Sequence, residues 1–343
     1  MHKALHETHH SPVPQAGAMV EIGLNAAIVS VKGDVPQFLT IRDGETVRER
    51  QEGLPYGTFA PQEHQTLELC LRRVVLEQTG LDVGYVEQLY TFADRGRHAR
   101  RGDSAPHVMS IGYVALTEAG EPGGLKGGTW RGVYDCFPWE DWRVGKPDLL
   151  TREIEPRLLE WAARPSTAAT TSRPIAPSDR LKMCFGIGEE KPVWDEEKVL
   201  DRYELLYEAG LVKEAERDGR DAALAWSDLP QLGLPLMADH RRILATAITR
   251  LRGKIKYRPV VFELMSEAFT LFELQRTVEA ILGSHLHKQN FRRLVESGGL
   301  VEATGAQRNH TGGRPAKLYR FRREVLIERP SPGVRVKPGR SLG

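Results

Sequence analysis

The segment from Arg73 to Leu81, RVVLEQTGL, has the spacing of a helix face that could handle a pyrophosphate. Carboxylates at positions i, i+3 and i+4 share one face of a helix, where they can hold a divalent cation that neutralises phosphates and activates water. Here those three positions are Val74, Glu77 and Gln78. Because a single carboxylate is a poor magnesium site, the segment predicts a pocket without catalytic or metal-binding residues, which is typical of a sensor.

A second chemically capable group lies near the other end of the chain, on a helix predicted over His287–Glu296. Gln and Asn side chains can pair with adenine, and Arg with guanine, when a helix enters the major groove of DNA. The candidate DNA-reading residues of this helix are Lys288, Gln289, Asn290, Arg292 and Arg293. On the hairpin that follows, Thr311, Arg314 and Lys317 are expected to contact phosphates or the minor groove.

A third group, Asp94, Arg95 and Arg97, directly follows a predicted strand. Arginines in such a loop could bind a diphosphate through bidentate hydrogen bonds, although a solvated basic turn would have the same composition. Arg73 and Glu77 complete the candidate ligand-binding set. Their i, i+4 spacing also allows a plain ion pair that braces the helix without contacting a ligand.

The bulk composition narrows the class of protein. A length of 343 residues suggests two domains, and 40% hydrophobic with 27% charged residues is typical of a soluble globular protein. No apolar run approaches the roughly 20 residues that a membrane span needs. The three cysteines are widely spaced and form no ligand motif, which fits a reducing cytoplasm and, for a DNA-binding protein, the nucleoid.

The net charge of +2 conceals a strong asymmetry along the chain. From Arg241 to the C-terminus there are 21 Lys and Arg against 8 Asp and Glu, which leaves 27 basic and 38 acidic residues in the preceding part. An acidic body with a basic arm is typical of a protein that senses a ligand and binds nucleic acid.

The elements that would position the first and third groups follow a strand–loop–helix–strand order. Apolar runs predict four strands, and an amphipathic helix ends at Gly80, where a C-cap glycine belongs. The predicted strands are Leu24–Val31, Gln37–Arg42, Tyr85–Phe92 and His107–Leu116, and the helix is Thr66–Gln78. Further along, Pro165–Ser178 is low in complexity and is predicted as a flexible linker, whereas Glu196–Glu214 is predicted as one helix.

Two more predicted helices precede the DNA-reading group. The first, Ala238–Lys256, has cations near its C-terminal end, where the helix dipole favours them. The second begins with a capping box formed by Thr270 and Glu273. After the DNA-reading helix, Leu300–Thr304 and Ala316–Phe321 are predicted to pair as a hairpin. Three helices followed by a hairpin indicate a winged helix.

In this order, the segments resemble one family, the Nudix-related transcriptional regulators of NAD metabolism, in which a degenerate Nudix domain is fused to a C-terminal winged helix. Arg73, Glu77, Gly80 and Leu81 match the Nudix pattern, from which Val74 and Gln78 depart. The stretches that carry the resemblance are Leu54–Leu81, Gln88–Arg97 and most of Leu224–Phe321, including Trp226–Pro230, Phe269–Gln275, Asn290–Arg293 and Gly313–Phe321.

The resemblance implies an α+β protein, a Nudix-like α/β/α sandwich followed by a winged helix-turn-helix domain. It implies no cofactor, an ADP-ribose-like effector, a homodimer, and a double-stranded DNA operator upstream of NAD-biosynthesis genes. On this basis the chain divides into a tail (1–18), a Nudix-like domain (19–235), a winged helix (236–325) and a second tail (326–343). Residues 118–222 have no counterpart in the compact family pattern and form a large insertion.

Two other functions stay open at this point. An active Nudix pyrophosphatase acting on ADP-ribose or a related nucleoside diphosphate could use Glu63, Glu77 and another carboxylate such as Glu68, but Val74 and Gln78 argue against it. A scaffold whose winged helix binds protein would need less basic charge on helix and wing. The sequence therefore favours a DNA-binding regulator, most simply a repressor, that senses an NAD-related nucleotide without hydrolysing it.

Overall fold

A mixed β-sheet forms the N-terminal part of the computed structural model. The structure describes residues 20–43, 51–94, 107–124, 127–164, 175–190, 193–308, 315–328 and 333–334. Within these residues the strands of the sheet are β1 (Val20–Lys32), β2 (Val35–Asp43), β3 (Gln51–Gly53), β4 (Tyr56–Thr58), β5 (Tyr85–Phe92), β6 (His107–Leu116) and β7 (Thr129–Gly132). Their order is β3-β2-β1-β6-β5, with β4 added to β1 and β7 to β2.

Strand β1 lies in the middle of this sheet, and its apolar run is buried on both faces. Residues Leu24 to Val29 are almost inaccessible to solvent. The first part of β1 lies parallel to β6, from the Val20–His107 pair to the Val29–Leu116 pair, whereas β2 and β4 run antiparallel to it. A strand covered on both faces reads as a continuous apolar run rather than an alternating one.

Helices cover both faces of the sheet and continue beyond it. In chain order they are α1 (Leu67–Thr79), α2 (Val133–Cys136), α3 (Glu155–Ala163), α4 (Pro177–Phe185), α5 (Val199–Glu208), α6 (Lys213–Arg217), α7 (Asp221–Leu224), α8 (His240–Tyr257), α9 (Leu271–Leu282), α10 (Lys288–Ser297) and α11 (Val325–Glu328). A second, two-stranded sheet consists of β8 (Val301–Arg308) and β9 (Ala316–Phe321). Among the described residues, no helix is both long and apolar enough to span a membrane.

Helix α1 covers one face of the large sheet. Thr66 caps its N-terminus by accepting a 3.1 Å hydrogen bond from the Leu69 N–H, and Gly80, with φ of 69°, ends it in the left-handed conformation. Its buried residues, among them Cys70 and Val75, pack in one cluster with apolar side chains of β1 and β6. The predicted helix and its glycine C-cap are confirmed.

The opposite face of the sheet packs against α8 and the segment that precedes it. One continuous hydrophobic cluster joins Val29 and Phe38 of the sheet, Trp139 and Tyr203 of the segment 133–224, and Ile243 of α8. Helix α1, the sheet and α8 therefore form three layers, and the predicted α/β/α arrangement is confirmed. The segment 133–224 is part of this core rather than an appendage on its surface.

Two predictions about that segment were wrong in part. The residues predicted as one helix, Glu196–Glu214, form two helices, α5 and α6. The turn between them contains Gly210, whose φ of 74° is not helical. A Cβ there would lie 2.3 Å from the Ala223 nitrogen, so a closely approaching backbone excludes a side chain. Of the predicted linker, residues 165–174 lie outside the described residues, whereas Pro177 already begins α4.

The C-terminal helices follow the winged-helix pattern with a corrected start for α8. Ala238, predicted to begin this helix, has a φ of 44°, and its carbonyl accepts a 2.7 Å hydrogen bond from Arg217, so α8 begins at His240. In α9 the predicted capping box is confirmed: Glu273 N–H donates to Thr270 Oγ1 over 3.1 Å and Thr270 N–H donates to Glu273 Oε2 over 2.8 Å.

The hairpin of the wing is longer than predicted on its first strand. β8 extends to Arg308, four residues beyond the predicted end at Thr304, and pairs antiparallel with β9 from Val301–Phe321 to Arg308–Ala316. The register shifts between Ala303 and Gln307, which marks a bulge. Gly305, just beyond the predicted end of the strand, lies within the bulged part of β8.

We expect Thr270→Ala to lower the free energy of unfolding by about 1 kcal/mol, because the N-cap hydroxyl satisfies a helix N–H that would otherwise lack a partner. Chemical denaturation monitored by circular dichroism measures this difference. Thr270→Ser keeps the hydroxyl and should stay close to the wild type. Equal stability of all three proteins would contradict the role given to the capping box.

Candidate ligand pocket and nucleic-acid interface

The two charged residues predicted for the ligand site on α1 form an ion pair with each other. Arg73 Nε lies 2.7 Å from Glu77 Oε1, and about half of each side chain is exposed. Such i, i+4 pairs stabilise a helix by roughly 0.2–0.5 kcal/mol. The ion pair that would brace the helix is therefore present, and the side chains of Arg73 and Glu77 both remain accessible to a ligand.

The two positions that lack the expected carboxylates face the loop around β4. Gln78 Nε2 donates a 2.7 Å hydrogen bond to the Tyr56 carbonyl, and Tyr56 N–H donates a 3.2 Å bond to Gln78 Oε1. Val74 fills the space beside Gly57, where an added Cβ would lie 2.9 Å from Val74 Cγ2. Because a carboxylate could not donate to the Tyr56 carbonyl, a neutral amide is the side chain that fits at position 78.

The remaining acidic residues near this helix do not assemble into a metal site. Glu68 pairs with Arg72 over 2.9 Å, and Glu77 pairs with Arg73, so both acidic residues of α1 are offset by arginines. Glu63 is exposed on the preceding loop. Across the described ranges, no group of three or more His, Cys, Asp and Glu residues is arranged to hold a metal ion.

Asp94, at the end of β5, is held by a cation of α8. Arg242 forms ion pairs with Asp94, with Glu204 of α5 over 2.5 Å and with Asp239 over 3.3 Å. Its guanidinium also lies 5.2 Å from the centre of the Phe92 ring. The acidic residue predicted for the ligand site thus fastens the sheet to α8. Arg95 and Arg97 lie outside the described residues.

A buried charge cluster attaches α8 and α9 to the segment 133–224. Glu140 accepts hydrogen bonds from Arg202 of α5 at 2.6 and 2.9 Å and from Arg252 of α8 at 2.7 Å, and all three side chains are at most 1% exposed. Arg252 Nε also donates to the Ile281 carbonyl of α9 over 2.8 Å. Burial acts to raise the pKa of Glu140, but the two guanidiniums outweigh it and hold this pKa below its usual value.

The same segment contacts the C-terminal end of α9 through its backbone. Trp142 N–H donates to the Gly283 carbonyl over 2.8 Å, and the Tyr134 hydroxyl donates to the Ala280 carbonyl over 2.6 Å. A Cβ on Gly283 would lie 2.3 Å from the Glu140 carbonyl oxygen. The winged helix is therefore packed closely against this segment as well as linked to it through α8.

Helix α10 presents all of its predicted DNA-reading residues to solvent. Phe291 and Val295, four residues apart, are buried and fix the inner face of the helix. The outer residues, all exposed, are Lys288, Gln289, Asn290, Arg292 and Arg293. This division leaves the polar and basic face free to enter a groove of DNA.

A hydrogen bond and the position of one cation on this outer face bear on whether it contacts DNA. Arg293 donates a 2.9 Å hydrogen bond to Asn290 Oδ1, so these two side chains are aligned with each other. Lys288 lies in the first turn, where the helix dipole disfavours a cation. Helix stability does not account for that placement, whereas contact with a phosphate would.

A buried carboxylate shapes the turn that leads into α10. Glu279, 5% exposed, accepts hydrogen bonds from the Leu286 N–H at 2.9 Å and from Gln275 Nε2 at 2.8 Å, and it lies 3.0 Å from His285 Nδ1. Burial acts to raise the pKa of Glu279, but these hydrogen bonds lower it below its usual value. The carboxylate thereby holds the turn between α9 and α10.

The wing contributes one described residue of the predicted contact set. Lys317 is exposed on β9, opposite Gln307 of β8. Thr311 and Arg314 lie outside the described residues. Arg308, which the sequence did not single out, pairs with Glu273 and so ties the wing to the start of α9.

Sequence analysis identified Gln78 and Val74 only as departures from the Nudix pattern. It did not predict the contacts that these two side chains make with the segment around β4. Sequence analysis also gave no role to His240, which lies in a stretch that carries the family resemblance, or to Arg242; these residues join α8 to the loop before β4 and to the end of β5. A signal was present at position 78, because Gln keeps the size of Glu and adds a hydrogen-bond donor. Nothing in the sequence indicated the partner of His240.

Comparison with known proteins places the winged helix within a defined family. Residues 261–321 match the model of the NrtR DNA-binding winged helix domain. The ADPR responsive transcriptional repressor NtrR of Acinetobacter baylyi is 45% identical over 97 residues, which make up 28% of this chain and 38% of that protein. The chain therefore matches little more than a third of the length of this relative.

Two solved structures share the overall fold. The crystal structure of Shewanella oneidensis NrtR complexed with a 27mer DNA has a TM-score of 0.51 at 19% identity, covering 89% of this chain and 95% of that one. The crystal structure of a MutT/nudix family protein from Enterococcus faecalis has a TM-score of 0.50 at 17% identity, covering 92% and 90%. The resemblance seen in the sequence is thus confirmed in the fold and the winged helix. The chain carries an NrtR DNA-binding winged helix domain at residues 261–321, and the domain that precedes it in the chain has the fold of the Nudix proteins.

Proposed function

We propose that this protein is a transcriptional repressor whose winged helix binds a double-stranded DNA operator and whose Nudix-fold domain binds an ADP-ribose-like nucleotide. The observation that carries the proposal is the exposed basic face of α10, which lies in a domain that matches the NrtR family model. The relative in Acinetobacter baylyi is named for its response to ADPR, which supports the choice of effector. We propose that this protein regulates NAD-biosynthesis genes, as the resemblance of the sequence to regulators of NAD metabolism implies.

The proposed regulator is a homodimer that works in the cytoplasm without a cofactor. Two winged helices related by a two-fold axis would read two half-sites about one helical turn of DNA apart, about 34–36 Å. Selection of binding sites from random-sequence DNA tests this arrangement. A palindromic consensus supports the dimer, and a single asymmetric half-site would speak against it.

The direct test of the function is operator binding with and without nucleotide. The selected DNA and the promoters of NAD-biosynthesis genes are titrated by fluorescence anisotropy, first alone and then with saturating ADP-ribose. Coupling free energies between sites are typically about 1–3 kcal/mol, or roughly 5- to 150-fold in affinity. We expect a change in operator Kd within that range. If DNA of every sequence binds equally weakly, the regulator assignment fails.

We expect negligible pyrophosphatase activity on ADP-ribose with Mg²⁺, because Val74 and Gln78 occupy positions where carboxylates would hold the metal. The release of AMP, followed by chromatography beside a working Nudix hydrolase, measures this. Working enzymes turn over at about 1 per second or faster. A turnover of that order would overturn the non-hydrolytic reading and favour the pyrophosphatase.

A further inference from the structure

The segment Leu54–Gly57, which comprises the loop after β3 and the start of β4 and is called the β3–β4 loop below, is fixed to α1 on one side. Both main-chain hydrogen-bonding groups of Tyr56 pair with the amide of Gln78, at 2.7 and 3.2 Å, and Val74 packs against Gly57. These contacts use the two α1 positions that depart from the Nudix pattern. A movement of α1 therefore displaces this loop, because the paired groups are partly buried and close-packed.

The other side of the same loop rests on the first residue of α8. Leu54 N–H donates a 2.9 Å hydrogen bond to His240 Nδ1, and the Tyr56 and His240 rings meet edge to face with centres 5.5 Å apart. His240 is 3% exposed, and a Cβ on Gly53 would lie 2.6 Å from its Nδ1. Because Nδ1 accepts, the ring is neutral with its proton on Nε2. The loop therefore packs directly against the start of α8.

Helix α8 then runs without interruption from this loop to α9 of the winged helix. Its 18 residues span about 27 Å at 1.5 Å per residue. Near its far end Arg252 donates to the Ile281 carbonyl of α9, the helix whose Glu279 sets the turn into α10. A continuous series of buried and partly buried contacts thus joins α1 to the recognition helix.

We infer that Gln78 and His240 are positioning residues that transmit the state of the nucleotide site to the winged helix, an inference that rests on the proposed function. The Gln78–Tyr56 hydrogen bonds and the Leu54–His240 hydrogen bond are the links. The glutamine at position 78 replaces a metal-binding carboxylate with a coupling contact. Spatial continuity alone does not establish coupling, so the decisive quantity is the effect of nucleotide on DNA affinity in variants that still bind each ligand.

The test is Gln78→Glu, which keeps the size of the side chain but removes the donor to the Tyr56 carbonyl. ADP-ribose affinity is measured by calorimetry and operator Kd by anisotropy, with and without ADP-ribose. We expect both separate affinities to remain within about threefold of the wild type, whereas the effect of ADP-ribose on operator Kd, typically about 5- to 150-fold in coupled systems, should fall below about twofold. His240→Asn, which retains an acceptor for Leu54 N–H but lacks the ring, should also reduce the effect.

Gln62→Glu, at an exposed position on the loop before α1, makes the same chemical change without this contact and should leave the coupling intact. Full coupling in both Gln78→Glu and His240→Asn would overturn the inference. Loss of ADP-ribose binding in Gln78→Glu would also overturn it, because the residue would then act in binding. Absence of any nucleotide effect in the wild type would instead refute the proposed function.

Discussion

Arg292→Ala should weaken operator binding by roughly 5- to 150-fold, the equivalent of about 1–3 kcal/mol for the loss of a base contact. Arg292 is exposed on the outer face of α10, and Arg293 beside it is aligned by Asn290. Arg293→Ala should have an effect of similar size. Fluorescence anisotropy with the selected operator, repeated over a range of salt concentrations, measures both variants.

The salt dependence separates the two ways in which these arginines can act. Loss of a base contact should relax specificity at one operator position, whereas loss of a phosphate contact should weaken all sequences alike and reduce the slope of log K against log salt by about 1. Arg152→Ala, an exposed cation remote from the winged helix in sequence, is the matched control and should bind normally. Unchanged affinity in both α10 variants would show that another helix reads the DNA.

Glu140→Gln should lower the free energy of unfolding by about 3–5 kcal/mol, the usual cost of removing one partner from a buried ion pair. The substitution leaves Arg202 and Arg252 charged, buried and without a counter-charge. Urea denaturation followed by tryptophan fluorescence reports directly on this region, because Trp142 and Trp194 lie close by, with ring centres 4.5 Å apart.

The pH dependence of stability gives a second readout at Glu140. Since its pKa in the folded protein is below the usual value, its contribution is present above the unfolded-state pKa and is lost as the pH falls through the folded one. Wild type and Glu140→Gln should therefore converge in stability on acidification. Glu160→Gln removes the partner of an exposed pair with Arg164 and should cost less than about 1 kcal/mol. If Glu140→Gln is as stable as this control, the cluster does not hold the two parts together.

Local signals explain the part of the fold that the sequence predicts well. The bounds of β5 and β6 agree with the sequence because short apolar runs are set off by turn-forming residues. The start of α9 agrees because Thr270 and Glu273 are three residues apart and act on each other directly.

The features that sequence did not predict depend on contacts between distant residues. The parallel pairing of β1 with β6 brings together strands separated by the whole α1–β5 unit. Gln78 and Tyr56 are 22 positions apart, and Leu54 and His240 are 186 positions apart. Asp94 carried the expected charge for a ligand site, but the arginine that pairs with it lies 148 positions away. No local pattern encodes such partners.

The measurement that tests the account most directly is the affinity of ADP-ribose for the free protein and for the protein saturated with operator, by calorimetry in the same buffer. Linkage requires that operator change nucleotide affinity by the same factor by which nucleotide changes operator affinity. We expect equal factors, each within the roughly 5- to 150-fold range typical of coupled sites. Identical ADP-ribose affinities with and without operator would contradict the account, since the Nudix-fold domain and the winged helix would then act independently.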